Sequence, residues 1–200
     1  MTENAQFSPD TAARWRFLAL CTLAAAGIIA VQAIVLHLLG QPAICDCGYI
    51  AWWYPDSSGP QTSQHIADWY SFSHLLHGLI FYFLFWLLAP RASFGTRLIL
   101  AVALEAGWEI AENTPMVIDR YRQTALAQGY FGDSIVNSLS DTLAAVIGFF
   151  LARAWPVWMS VLVVVAVELV LAYAIRDNLT LNILQLIHPV DAVSRWQTGG

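Results

Sequence analysis

EAGWEIAENTPMVIDRYR, residues 105–122, decides how the chain is read. It follows the apolar run LILAVAL (98–104) without a break, so by hydropathy it continues a membrane-length helix. Yet it carries Glu105, Glu109 and Glu112, then Asn113, Arg120 and Arg122. At about 100° per residue, Glu109 lies about 40° around the helix from Glu105, and Glu112 about 20° the other way. The three acids share one stripe, and the remaining faces are Ile, Leu, Val and Ala. Acids in a spanning helix face the bundle interior or a wet cavity, because lipid offers them nothing. The stretch therefore predicts a helix that crosses with one polar face turned toward its neighbours.

The rest of the chain supplies those neighbours. Of 200 residues, 58% are hydrophobic and 12% charged, far from a soluble composition. A bilayer is crossed by about 20 apolar residues of helix. Five blocks qualify, at about 17–39, 69–89, 98–118, 134–153 and 157–175. The expected fold is an all-α polytopic membrane helix bundle, one integral domain over 1–200. A water-soluble fold would have to bury five apolar helices under hardly any polar surface. Arg14 and Arg16 precede the first block, as in a signal peptide, but a cleaved core is about 7–15 residues long and no small-residue cleavage motif precedes Gly40. A retained anchor is the reading. Residues 1–13 are polar and expected to be mobile. Residues 181–196, with Ile183, Leu184, Leu186, Ile187, Val190 and Val193 at roughly helical spacing, are too short and polar to span, are interrupted by Pro189, and read as an interfacial helix.

Orientation rests on arginine, since the chain has no lysine. With the N-terminus inside, Arg14, Arg16, Arg91, Arg97 and Arg153 fall on the cytoplasmic side, against Arg120, Arg122, Arg176 and Arg195 outside. The loop 40–68 has three acids and no Lys or Arg, so it is the translocated one. The expectation is a bacterial inner-membrane protein with a cytoplasmic N-terminus and a periplasmic C-terminus. Trp52, Trp53, Tyr54, Trp69 and Tyr70 fit an interfacial aromatic belt. Cys45 and Cys47 form a disulfide, bind a metal as a pair, or stay free thiols; one CxC does not decide.

Depth brings the polar residues together. The second block opens DWYSFSHLLHG, placing Ser73, His74 and His77 within reach of one face. The fourth opens GDSIVNSLSD, with Asp133, Asn137 and Asp141 spaced four and four. In the topology above, His74, His77, Glu109, Glu112, Asp133 and Asn137 share the outer half of the membrane, with Glu105 and Asp141 slightly deeper. Imidazole with carboxylate suits a divalent metal such as zinc, iron or manganese, and His74, His77 and Glu105 are the candidate ligands. Glu109, Glu112, Asp133 and Asp141 are the candidate catalytic acids, with or without a metal. Asn113, Asn137, Arg120 and Arg122 are candidate substrate-binding groups, the arginines suiting an anionic head group. The competing reading is polar glue between helices, with Arg120 or Arg122 paired to Glu112 or Asp119. A proton or cation path would need acids in the inner half too, and Glu168 is the only other deep one.

ICDCG (44–48), SQHIADWYSFSHLLHG (63–78), EAGWEIAEN (105–113), IDRYR (118–122) and GDSIVNSLSD (132–141) resemble uncharacterised protein family 0314, inner-membrane proteins found mainly in alphaproteobacteria. The resemblance runs from about 44 to 154. It implies a multi-pass inner-membrane protein and carries no established activity. More loosely, the histidine pair, the glutamate-rich next helix and the Asp-xxx-Asn helix entry resemble VanZ-like membrane proteins. The functional expectation is a periplasm-facing pocket that binds or modifies an envelope lipid or lipid-linked substrate. Membrane lipids are the expected partners, and nucleic acid is not. A non-catalytic assembly or scaffold protein is the alternative, followed by a proton- or cation-coupled transporter.

Overall fold

The apolar blocks become helices, and each begins or ends where the backbone chemistry changes. The computed structural model describes residues 9–199. It contains α1 (Pro9–Leu39), α2 (Ser71–Leu88), α3 (Phe94–Glu112), α4 (Pro115–Tyr121), α5 (Ile135–Ala154), α6 (Val157–Ile175), α7 (Leu179–Ile187) and α8 (Asp191–Gln197), with no strand among the described residues. Of the N-terminal stretch expected to be mobile, residues 1–8 lie outside the described residues. The remainder, residues 9–13, is already helical. Ser93, Ser134 and Asn178 start α3, α5 and α7 by accepting the backbone N–H three residues on, at 3.1, 3.1 and 2.8 Å.

Four of these helices, α1 from Ala13, α2, α5 and α6, are long and apolar enough to cross a membrane. α3 has 19 residues but carries Arg97 and the three glutamates. One sequence boundary needs correction. The third block does not run to residue 118: α3 stops at Glu112, because Pro115 has no N–H and forces Thr114 into an extended conformation (φ −77°, ψ 150°). The C-terminal stretch, interrupted at Pro189 as its sequence indicates, forms the two short helices α7 and α8.

The distribution of side chains is inverted relative to a soluble protein. The largest fully buried side chains include Gln32, Gln64, His65, Glu105, Glu109 and Asn113 alongside Phe149, Leu36 and Leu76. The exposed ones are apolar: Leu20, Leu23, Ile34 and Leu38 on α1, and Leu162, Val165, Leu169 and Tyr173 on α6. An apolar exterior around a polar interior is what a hydrocarbon solvent selects, since no backbone or side-chain polar group finds a partner in lipid. The protein is a membrane protein.

α2 and α5 form the closest pair at the centre. Neither Gly78 nor Gly148 has room for a side chain: a Cβ on Gly78 would collide with the carbonyl oxygen of Ala145, and one on Gly148 with that of Leu75. Two glycines thus let the backbones touch, the small-residue packing common in membrane helices. α3 packs against α1, α2 and α5, while α6 leans lightly on α2 and α5. The long loop 40–70 folds over the end of the bundle where α1 and α3 finish and α2 and α5 begin. It is pinned there by Ile135 N–H to the Pro42 carbonyl (2.9 Å) and Ser134 N–H to the Ser63 carbonyl (2.9 Å). Cys45 and Cys47 form a disulfide. His65 lies beside them, but its Nδ1 accepts from the Ala51 amide (3.2 Å) and its Nε2 meets Gln61 Oε1 (3.0 Å), so both ring nitrogens are committed to the loop.

The glycine crossing is testable. Gly148→Ala should lower stability by about 1–3 kcal/mol, the usual range for overpacking, read as a lower thermal midpoint in detergent. Gly27→Ala, where a Cβ meets nothing within 4 Å, should leave the midpoint unchanged or raise it.

Candidate functional site

Four helices place polar side chains in one layer beneath the loop. On α2, His74 and His77 are one turn apart, with rings 5.1 Å from centre to centre. On α3, Glu105 and Glu109 stack one above the other, with 0% and 1% of their surface exposed. Glu105 bridges both histidines: its Oε1 lies 2.7 Å from His74 Nδ1, and its Oε2 lies 3.0 Å from His77 Nδ1. Glu109 Oε1 is 3.0 Å from that same His74 nitrogen. One ring nitrogen carries one hydrogen at most, and Glu109 Oε1 is left without a hydrogen bond. Its other oxygen accepts from Ser138 Oγ on α5 at 2.6 Å. Asp141, one turn further along α5, approaches His74 Nε2 at 4.0 Å.

α1 closes the layer through Gln32. Its amide donates to Ser138 Oγ (2.8 Å), and its carbonyl accepts from Thr142 Oγ1 (2.9 Å). The sequence reading missed this residue. The available signal was a single long amide in the middle of block 17–39, otherwise almost wholly apolar.

A second tier lies above the layer, toward the loops. Asn113, just past the end of α3, and Asp133, just before α5, hold each other. Asn113 Nδ2 donates to Asp133 Oδ2 (2.6 Å), and the Asp133 N–H donates to Asn113 Oδ1 (2.7 Å). Tyr130 OH donates to the other Asp133 oxygen at 2.8 Å. Burial pushes the Asp133 carboxyl up, and the Asn113 and Tyr130 hydrogen bonds pull it partly back. Asn137 is buried and donates to the His65 carbonyl (2.8 Å), so it fastens the loop to α5.

Between the tiers is a cavity with about 90 Å³ of room for water-sized occupants, space for several waters at about 10–15 Å³ each. His74, His77, Glu112, Asp133 and Asp141 reach it from the bundle, and Asp177, Asn182 and Gln197 from the C-terminal segment. Trp108, Phe131, Leu179 and Ile183 give it an apolar wall. Four buried polar atoms of its lining residues have no hydrogen-bond partner: Ser73 Oγ, Glu112 Oε2, Asp141 Oδ1 and Gln197 Oε1. Each such atom costs about 1–3 kcal/mol unless something occupies the space beside it.

The arginines are not brought to this cavity. Arg120 donates through Nε to the Leu186 carbonyl (2.7 Å), closing the end of α7. Arg122 donates to the Tyr130 carbonyl (2.6 Å) and pairs with Asp119 (3.5 Å). Both hold loops together, and neither lines the cavity. Glu168 is not an isolated deep acid either: its oxygens accept from the Leu179 and Thr180 amides (2.9 and 3.1 Å) at the start of α7.

The chain matches the family profile described as "Protein of unknown function (DUF2585)" over residues 36–199, and it belongs to that family. It is 49% identical over 184 residues to a UPF0314 protein of Rhizobium meliloti (strain 1021), covering 92% of this chain and 93% of the relative. A UPF0314 protein of Brucella anthropi is 46% identical over 199 residues, with 100% of both chains covered. One from Paracoccus denitrificans is 47% identical over 170 residues, 85% of this chain and 88% of the relative. No solved structure matches.

The C-terminal helices close the cavity through Asp177, which accepts from Tyr70 OH (3.3 Å) and Gln197 Nε2 (3.2 Å). Burial raises its carboxyl from 3.8 to about 6, against the pull of Asn178, Asn182 and Tyr70, with the Glu168 charge adding to the rise. A carboxyl raised on folding adds stability that is complete below its unfolded value and is lost as the pH rises through the folded one. Hydrogen-exchange protection of residues 191–197, corrected for intrinsic rates, should therefore fall about tenfold between pH 5 and 7.5, one pKa unit being worth about a factor of ten. Asp177→Asn should flatten that profile.

Proposed function

We propose that this member of the family is a five-span inner-membrane protein whose pocket faces the periplasm. In this reading the pocket holds a divalent metal and binds or modifies an envelope lipid or lipid-linked substrate. The N-terminus is cytoplasmic and the C-terminus periplasmic. α3 is the fifth span, its glutamates turned inward. The loop 40–70 and helices α4, α7 and α8 then form the periplasmic roof.

One observation carries the metal. Nitrogen and oxygen atoms of His74, His77 and Glu105 lie within 4.8 Å of one another, and so do those of His74, Glu109 and Glu112. Carboxylates without a compensating cation are costly in a buried site, and the nearby arginines are used elsewhere. A cation among these groups would settle the charge and give Glu109 Oε1 a partner. Mixed imidazole and carboxylate donors suit zinc, iron or manganese. When bound, such an ion polarises an ester or phosphate oxygen and acidifies water. Glu112 and Asp141 line the cavity and in this reading would take or give the proton.

The scaffold reading has its own support. Ser138 to Glu109, Gln32 to Ser138 and Asn113 to Asp133 are good hydrogen bonds between different segments, as structural polar glue requires.

Metal analysis of the purified protein separates the two. The metal reading expects about one equivalent of a transition metal, held by donors among His74, His77, Glu105, Glu109 and Glu112. Glu105→Gln and His77→Ala should cut that content at least about tenfold, the usual effect of losing a ligand or its support, while the size-exclusion profile stays monodisperse. A wild-type protein without metal, whose same variants merely melt earlier, would establish the scaffold reading instead.

A further inference from the structure

The charge of the cavity says which head group it would accept. We infer that the ligand is an amphiphile with a cationic ammonium head, a primary amine or a quaternary ammonium. This rests on the reading above that the cavity takes an amphiphile at all.

Glu112, Asp133, Asp141 and Asp177 all line the cavity, and no arginine or lysine does. Asp133 is already held by Asn113 and Tyr130, and Asp177 by Tyr70 and Gln197. Glu112 and Asp141 are different. Glu112 Oε2 and Asp141 Oδ1 are buried without a partner, and Asp141 as a whole is only 4% exposed. Ser73 Oγ, 7% exposed and on the same cavity, is also unpaired. An ammonium group brings the donors or the positive charge that these oxygens lack. A phosphate or carboxylate head would add a further anion to a cavity lined by four acids, whose two histidines are already engaged, His74 with Glu105, Glu109 and Asp141 and His77 with Glu105.

The rings around the acids point the same way. Trp108, Tyr121 and Tyr130 line the cavity. An aromatic face attracts an ammonium ion by about 0.5–2 kcal/mol, more when water is excluded. Leu126, Leu179 and Ile183 line it as well and offer an apolar wall for the start of an acyl or alkyl chain. The arginines that suggested an anionic head in the sequence are turned onto backbone carbonyls. The metal of that reading would take the group His74, His77 and Glu105, which leaves Glu112 to the cavity. The ammonium site is on the cavity side, at Glu112 and Asp141.

A binding experiment with simple probes tests this. The full-length protein, purified in a maltoside detergent with its metal content measured, is titrated with radiolabelled dodecyltrimethylammonium in a scintillation proximity assay. Dodecylamine, dodecanol and dodecyl sulfate then compete. The expected result is displacement by dodecylamine at concentrations at least about tenfold below those needed for dodecanol or dodecyl sulfate, since cation–π and charge terms together exceed 1.4 kcal/mol. Glu112→Gln and Asp141→Asn should each weaken the probe about tenfold while the thermal midpoint stays near wild type. If either variant fails to fold, the wild-type competition order decides alone. Equal or better competition by dodecanol or dodecyl sulfate would overturn the ammonium head while leaving an amphiphile pocket. Specific binding by none of the four would overturn the amphiphile reading itself.

Discussion

Glu105 is the residue on which the interior depends. It is fully buried, it comes from α3, and its two oxygens reach the two histidines of α2. Removing one partner of a buried charged pair costs about 3–5 kcal/mol, because the other is left alone in a poor solvent. That penalty favours the rotation of α3 that keeps the carboxylate on the two histidines. Once α3 is so rotated, Glu109 one turn on must face Ser138 of α5, and Ser138 in turn faces Gln32 of α1. The register of four helices thus follows from one bridged carboxylate.

That arrangement needs α2 and α5 to be close, and the glycines provide it. With Gly78 and Gly148 at the crossing, the helices approach until backbone meets the space a side chain would fill. His74 sits about one turn from Gly78 and Asp141 about two turns from Gly148, and the imidazole and carboxylate come to 4.0 Å. A wider crossing would draw His74 away from α5 and open the polar layer. Packing and chemistry are therefore joined at the same point, and neither the glycines nor the acids make sense alone.

Much of this was legible in the sequence because it depends on period and depth. The glutamate stripe follows from about 3.6 residues per turn, and the shared layer from counting residues to the ends of hydrophobic blocks. His74, His77, Glu105, Glu109 and Asp141 were all found that way. The residues that were misread depend on tertiary partners. Arg120 and Arg122 looked available to an anion, but carbonyls of α7 and of the loop before α5, remote in sequence or hidden by a turn, took them first. Glu168 looked isolated because the helix it caps begins after a chain reversal at Arg176, in the left-handed conformation (φ 55°). Gln32 looked incidental because one amide in an apolar block has no periodicity to announce it. Thr114 and Pro115 were visible, yet hydropathy outweighed them and carried the helix six residues too far.

The roof explains why the cavity has mixed walls. α3 stops at Glu112 because of Pro115, and the chain turns there instead of continuing as a straight helix. The break releases Asn113 to hold Asp133 and lets Tyr121 and Tyr130 fold back over the acids, with their rings 5.4 Å apart. Glu168, Arg120 and Asp177 then fasten the C-terminal helices across the same opening. Every charged residue named here outside the polar layer is spent on this covering. Beneath it Glu112 Oε2 and Asp141 Oδ1 stay unpaired, because no arginine or lysine lines the cavity and His74 is already shared among Glu105, Glu109 and the other Asp141 oxygen.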